Sequence, residues 1–414
     1  MAAIGQRPSA LPREVWVIVV ANFIIAIGFG LVAPALPSFA RSFDVSVTAA
    51  SIVVSAFAFT RLAFAPVSGR LVTRLGERKV YLTGLTIVAV TTGSCAFASH
   101  YWQLVALRGI GGIGSTMFTV SGIALLIHLT PPDVRGKASG LWGTSFLLGN
   151  VAGPLVGGGL IGISLRAPFL VYATALMVAV GTVWLFLRKS TLITPAGQHT
   201  TDVMPLRKAL RDSGYIASLT SSFAGGWAVF GVRVSLVPLF ITEVLHRDGA
   251  FAGTALSVFA ASNVVMLMVS GRLSDRWGRK PLILFGLVVS AGGTIWFGFT
   301  ETVTEFLIAT VVAGLGTGVL TPPQQAAVAD VIGKSRGGQV LATYQMAADV
   351  GAILGPIIAG MLADRLSFGW AFLVTGGLTV VAALVWLPAR ETLDRSASAV
   401  TEVVDAERPR ESAR

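Results

Sequence analysis

The sequence predicts an all-α membrane protein of twelve transmembrane helices arranged as two pseudosymmetric six-helix bundles. Three observations lead there. First, 54% of the 414 residues are hydrophobic and only 12% charged, with a mean hydropathy of +0.76, whereas soluble domains carry roughly 25% charge. Second, apolar runs close to the ~20 residues needed to cross hydrocarbon recur twelve times. Third, the chain repeats itself: Gly69-Arg70-Leu71-Val72-Thr73-Arg74-Leu75-Gly76-Glu77-Arg78-Lys79 returns 202 residues on as Gly271-Arg272-Leu273-Ser274-Asp275-Arg276-Trp277-Gly278-Arg279-Lys280. Gly153-Pro154 and Gly355-Pro356 share that offset. A single long-period duplication inside apolar sequence reads as two repeated membrane bundles, since a solenoid has shorter and more numerous repeats.

The runs, in order, are 15–38, 47–69, 80–99, 102–127, 138–161 and 168–187, then 215–240, 250–271, 281–299, 304–328, 339–363 and 370–388. The first is too long for a cleavable signal, carries Pro34 and Pro37 near its end and lacks a small-residue cleavage site, so it is expected to remain as a span. The expected organisation is therefore an N-terminus at 1–14, a first bundle at 15–187, a linker at 188–214, a second bundle at 215–388 and a tail at 389–414. Pro195, Gly197, His199, Asp202 and Pro205 break the apolar pattern in the linker. Residues 206–211 read either as a short amphipathic helix on the membrane surface or as a solvated loop. The tail, charged and poor in aromatics, reads as disordered.

Charge sets the orientation. Of the 31 Lys and Arg, 24 fall on the side of the termini, four (Arg41, Arg166, Arg247, Arg365) on the opposite side, and three (Arg61, Arg108, Arg233) within spans. By the positive-inside rule both termini are cytoplasmic in a multi-pass protein of the cell inner (plasma) membrane. The net charge of +11 follows from this asymmetry, so no nucleic acid is expected as a partner. A lone Cys95 allows no internal disulfide, and four scattered histidines lack metal-ligand spacing, so no metal and no cofactor is expected. Gly109, Gly111 and Gly114 satisfy the dinucleotide fingerprint, but inside a continuous apolar span they lack its strand-turn-helix setting. No nucleophile and base stand out, and the chain does not read as an enzyme.

The repeated loop resembles the signature of the major facilitator superfamily, and nearly the whole chain is similar to its twelve-span drug:proton antiporter group. Gly271, Asp275, Arg276, Gly278, Arg279 and Lys280 match the loop pattern fully. Gly69, Arg74, Gly76 and Arg78 match in the first copy, which departs at Thr73, where the pattern has an acid. The resemblance implies a cytoplasmic latch whose carboxylate caps a helix and whose cations bridge to carboxylates or lipid phosphates; Thr73 predicts a weaker latch in the first half. Gly149-x-x-x-Gly153-Pro154-x-x-Gly157 looks like the group's antiporter signature, and Gly351, Gly355 and Pro356 repeat it. Glycines at helical spacing let another backbone approach, and the proline permits a bend, so the pair reads as a hinge motif or as ordinary small-residue packing. Gly28 to Pro37 is similar to the group's first-span pattern. Arg108-Gly109 resembles its buried-arginine motif, with Gly111 where a Gln is usual, which makes Arg108 a proton-coupling candidate.

A charge inside a span costs about 2.5 to 3.5 kcal/mol even on lenient scales, and so asks for a partner, water or a function. Of twenty acids only Asp349 lies well inside a predicted span. It is the leading coupling candidate, the alternative being a permanently ionised structural partner. Arg61 and Asp349 lie about 12 and 15 Å from the cytoplasmic ends of their spans at 1.5 Å per residue. The resemblance makes those spans neighbours across the seam, so the two are expected to pair. Three buried arginines against one aspartate favour neutral, zwitterionic or anionic substrates over organic cations. Asn22, Trp142, Trp227, Arg233 and Tyr344 are candidates to line the cavity, although lone aromatics in spans also serve packing and interfacial belts. The expected function is secondary active transport: export of small amphiphilic molecules or drugs in exchange for protons by alternating access, powered by the proton gradient. The expected partners are the lipid bilayer, a small-molecule substrate and protons, and the expected state is a monomer. A proton-coupled symporter importing a metabolite, or a non-transporting membrane sensor, are the alternatives.

Overall fold

The structure, a computed structural model, describes residues 11–130, 134–187, 204–333 and 337–393. Residues 1–10, most of the linker and most of the tail, which the sequence reads as disordered, lie outside the described residues. Among the described residues there are helices and no strands. The first bundle holds α1 (Arg13–Arg41), α2 (Val47–Leu75), α3 (Glu77–Cys95), α4 (Tyr101–Leu129), α5 (Arg135–Ile161) and α6 (Ala167–Leu187). A single helical turn, α7 (Leu206–Ala209), is what forms within 206–211. The second bundle opens with a composite span: α8 (Ser213–Gly225), a π-helical stretch Gly226–Arg233, and α9 (Val234–Glu243). It continues with α10 (Gly249–Trp277), α11 (Arg279–Phe297), α12 (Val303–Ile332), α13 (Gly338–Arg365) and α14 (Phe368–Trp386).

Eleven of these spans are long and apolar enough to cross a membrane. The twelfth, α3, falls short because Glu77, Arg78 and Lys79 fill its first turn. Its 19 residues still reach about 28 Å, close to the hydrocarbon thickness, and its neighbours in the chain both cross.

The duplication is visible in local geometry. Gly76 and Gly278, 202 residues apart, each end one helix and begin the next with φ of +82° and +107°, a conformation that glycine adopts without the clash a Cβ would cause. At the opposite end of the molecule Asp44 and His246 share φ values of 56° and 50°. Two residues beyond each, Ser46 accepts from the Ala49 N–H and Asp248 from the Phe251 N–H, capping α2 and α10. Gly84 meets Gly114 backbone to backbone where α3 crosses α4, and Gly286 meets Gly316 where α11 crosses α12.

The halves are joined at the end of the molecule away from the chain termini, here the distal end; the other is the terminal end. Arg41 Nε donates to Glu243 Oε1 at 2.7 Å, tying α1 to α9. Asp364 of α13 accepts from the N–H groups of Val47 and Thr48 at 2.9 and 2.8 Å, at the start of α2. Deeper in, Ser55 Oγ donates to the Ile353 carbonyl and Ser257 Oγ to the Val151 carbonyl. At Gly158 of α5 and Gly253 of α10 a Cβ on either would strike the other helix's backbone.

One cap connects the terminal end of the second bundle internally. Asp212 accepts from the Gly214 and Tyr215 N–H groups at the start of α8 and from the Arg390 guanidinium beyond α14. Burial opposes its charge, but Arg390 and the two N–H groups outweigh it and hold the carboxyl below its usual range. A depressed folded value means that this stability is complete above the ordinary carboxylate range and lost as pH falls through the lower folded value. Asp212→Ala is therefore expected to lower stability by about 1 kcal/mol near neutral pH, read as a lower unfolding temperature in detergent. The gap from the wild type should narrow in strong acid.

Candidate functional site

A cavity lies between the bundles in two adjacent lobes of ≈ 280 and ≈ 480 Å³, which share Phe29, Ala33, Phe146, Phe230, Val234, Gln345 and Ala348. It reaches the exposed side chains of Gln345 and Gln325 toward the terminal end, while the ties just described close the distal end. The three arginines within spans and the one acid well inside a span all line it. Arg61, Arg108 and Asp349 face the smaller lobe and Arg233 the larger.

Arg61 on α2 and Asp349 on α13 share a wall without a direct ion pair, though the arginine's charge acts on the carboxyl. Arg108 is held by the glycine run around it. A Cβ at Gly112 would strike the Phe57 backbone, so α4 lies close against α2, and Thr60 Oγ1 donates to the Gly109 carbonyl at 2.6 Å. That approach sets the Phe57 ring 4.3 Å from the Arg108 guanidinium carbon, a cation–π contact. Arg233 ends the π-helical stretch, and its guanidinium carbon sits 3.7 Å from the Phe259 ring centroid and 5.2 Å from that of Phe297. Phe57 and Phe259 are 202 residues apart, so each half covers one buried arginine with the same phenyl ring. The two arginines themselves occupy non-equivalent helices.

The small-residue motifs act where helices of one half touch. Cβ atoms at Gly149, Gly153 and Gly157 of α5 would press on the α1 backbone around Ile27, Gly30 and Leu31. In the second half Gly351 and Gly355 meet the backbone of the composite span at Phe223 and Trp227, and the Pro356 ring lies against Gly231 in the π stretch. Among the cavity candidates Tyr344 and Arg233 line the larger lobe. Asn22, Trp142 and Trp227 are not among the lining residues. The Asn22 amide donates to the Trp142 carbonyl and to Ser145 Oγ, binding α1 to α5, and Trp227 Nε1 donates to Thr375 Oγ1 inside the second bundle.

At the terminal end the two loop copies have diverged in chemistry. Arg279, mostly buried, pairs with Asp275 and with Asp330 of α12, while Glu391 accepts from the Arg279 and Lys280 N–H groups at the start of α11. Lys280 Nζ reaches the carbonyls of Leu387 and Ala389. In the first half Thr73 Oγ1 turns back to the Gly69 carbonyl of its own helix, and Glu77 Oε1 meets His128 Nδ1 at 3.0 Å. Glu77 and His128 correspond by the offset to Arg279 and Asp330, so the same helix-to-helix pair exists in both halves with acid and base exchanged. Arg74 and Arg276 are exposed, and nothing would meet a Cβ at Gly69 or Gly271 within 4 Å.

A family model described as Major Facilitator Superfamily matches residues 18–246 and 221–412. Multidrug resistance protein 2 of Bacillus subtilis (strain 168) is 25% identical over 391 residues, covering 90% of this chain and 95% of its own. Tetracycline resistance protein, class E, of Escherichia coli is 26% identical over 388 residues, covering 90% and 94%. Two solved structures share the fold at 16% identity. A bacterial homologue of the human lysosomal transporter Spinster, inward-facing and unoccupied, aligns with a TM-score of 0.74 over 91% of this chain and 97% of its own. A D-xylose–proton symporter aligns at 0.75 over 92% and 99%.

The asymmetry of the two loops is measurable. Asp330→Ala leaves a mostly buried guanidinium short of one charged partner and is expected to cost about 2 kcal/mol, whereas Thr73→Ala removes a bond to its own helix and should cost within about 0.5 kcal/mol. Unfolding temperatures of the two variants in the same detergent check this order.

Proposed function

Because the chain belongs to the Major Facilitator Superfamily, a family of membrane transporters, we propose that it is a secondary active transporter that exports small amphiphilic molecules in exchange for protons. The observation that carries this reading is the presence of Asp349, with Arg61, on the wall of the cavity between the bundles. A carboxyl in a dry environment favours its neutral form and one beside an arginine its ionised form, so a group under both influences can exchange a proton when its surroundings change. Arg108 lines the same lobe and adds a second positive charge to which the proton's arrival and departure respond.

The direction is argued from charge and from relatives. The Lys and Arg excess supports a cytoplasmic terminal end, and on that reading the cavity opens to the cytoplasm and is closed toward the outside. The relatives whose names speak of multidrug and tetracycline resistance support efflux of amphiphilic compounds. Alternating access then consists of rocking the bundles: the distal ties around Arg41, Asp364 and Gly253 part as the terminal ends close. The unfilled space beside Gly69 and Gly271 leaves room for helix ends to approach in that second state.

Reconstitution in liposomes with an imposed pH gradient and a panel of cationic, neutral and anionic fluorescent compounds tests the reading. Expected is substrate movement opposite to the proton flow, with Asp349→Asn losing at least about tenfold of gradient-driven transport while retaining exchange of substrate across the membrane. Accumulation only in the direction of the proton flow, or full gradient coupling in Asp349→Asn, overturns it.

A further inference from the structure

Arg233 is only 5% exposed, yet no hydrogen bond or ion pair satisfies its guanidinium among the described residues, and its Nε is buried without a partner. The side chain stays charged at any physiological pH, and buried charges in proteins are ordinarily paired. The acid in the cavity, Asp349, lines the other lobe beside Arg61. Phe259 covers a face of the Arg233 guanidinium, and a ring over the face leaves the N–H groups along its edge as the remaining donors, in the fork geometry that fits a carboxylate or sulfonate. The lobe around it is otherwise mainly apolar, with Leu256, Leu267 and Phe230 on its wall.

Two further observations point to a ligand. The backbone leading into Arg233 is π-helical, an arrangement that is rare and concentrated at functional sites; here it is held by Gly226 and Gly231 against α13. Arg108, 7% exposed, repeats the situation from the opposite bundle, with its own Nε unpartnered beneath Phe57. Arg108 and Arg233 stand seven and ten residues from the distal ends of α4 and α9, about 10 and 15 Å along the helices. Both charges therefore lie toward the closed end of the cavity, one from each half.

From these positions we infer that the substrates are amphiphilic organic anions whose acidic group is received by Arg233, with Arg108 supplying the matching positive charge from the other bundle. The inference rests on the transporter reading and narrows its substrate class. An anion held by Arg233 lies in the larger lobe, which its apolar body occupies, while the other bundle contributes the positive charge of Arg108 from the adjoining smaller lobe. Organic cations meet net positive charge at the same place and are disfavoured.

The test is binding to the purified full-length protein in detergent, which needs no gradient and no direction, so failure of the export reading leaves it intact. Titration calorimetry with 1-naphthoate, 1-naphthamide and 1-naphthylmethylammonium compares one apolar body bearing negative, neutral and positive groups. Wild-type protein is expected to bind naphthoate at least about tenfold more tightly than the other two. Arg233→Gln should bring naphthoate to the affinity of the amide, and Arg233→Lys should keep part of the preference. The inference is overturned if naphthoate does not bind, if the amide or the cation binds as well as naphthoate to the wild type, or if Arg233→Gln keeps the preference. The wild-type series decides even where a variant does not fold.

Discussion

Hydrocarbon cannot solvate a charge, and the charged interior of this protein is organised by that constraint. The three arginines within spans and Asp349 are turned to the cavity between the bundles rather than to lipid. Phenyl rings then cover the two most buried arginines, so that what remains available of each guanidinium is directed to a small volume. Other described Lys and Arg lie near the ends of the spans, where Arg74 and Arg276 are exposed and Arg279 is paired with Asp275 and Asp330. The cavity is thus electrostatically defined before any substrate enters it.

The duplication supplies the scaffold and its divergence supplies the chemistry. Turn glycines, distal caps and glycine crossings recur at the 202-residue offset, because they satisfy backbone geometry that both bundles need. Of the charged groups the loop cations recur, Arg70 as Arg272, Arg74 as Arg276 and Arg78 as Lys280, while others do not. Arg61 corresponds to Asn263, and Thr73 to Asp275. The pair linking α3 to α4 is Glu77 with His128, while its counterpart linking α11 to α12 is Arg279 with Asp330. Exchanging acid and base while keeping the contact preserves packing at the terminal ends. In the second half Glu391 and Lys280 bind the end of α14 to the start of α11.

Much of this was legible in the sequence. Long apolar runs and their breaks mark the twelve helices, since burial in lipid imposes a length and a composition that short soluble helices do not share, although α2 and α10 continue through Leu75 and Trp277, past the read ends at 69 and 271. Counting depth along the helices brings Arg61 and Asp349 to one level, and both line one wall, but without the ion pair expected between them. The role of Asn22 was not legible, because its partners Trp142 and Ser145 lie on another helix and use a carbonyl and a hydroxyl that no motif marks. Trp227 reads as a cavity residue by depth alone, yet the π stretch and the close approach of Gly351 and Gly355 place it within the bundle. The π geometry leaves no mark in composition. By contrast, the exchanged Glu77–His128 pair and the matching Phe57 and Phe259 follow from applying the repeat offset beyond the motif in which it is first seen.

The central claim is that two bundles, held together distally here, rock about a charged cavity. Distances between spin labels test it most directly, with one pair at the terminal end (Arg74→Cys with Arg276→Cys) and one at the distal end (Ser42→Cys with Arg247→Cys), each in a Cys95→Ser background. Pulsed electron resonance on the protein in lipid nanodiscs, in alkaline and in acidic buffer, should show the terminal distance shortening as the distal one lengthens in part of the population. Two distances that stay fixed, or that change in the same direction, would contradict the account.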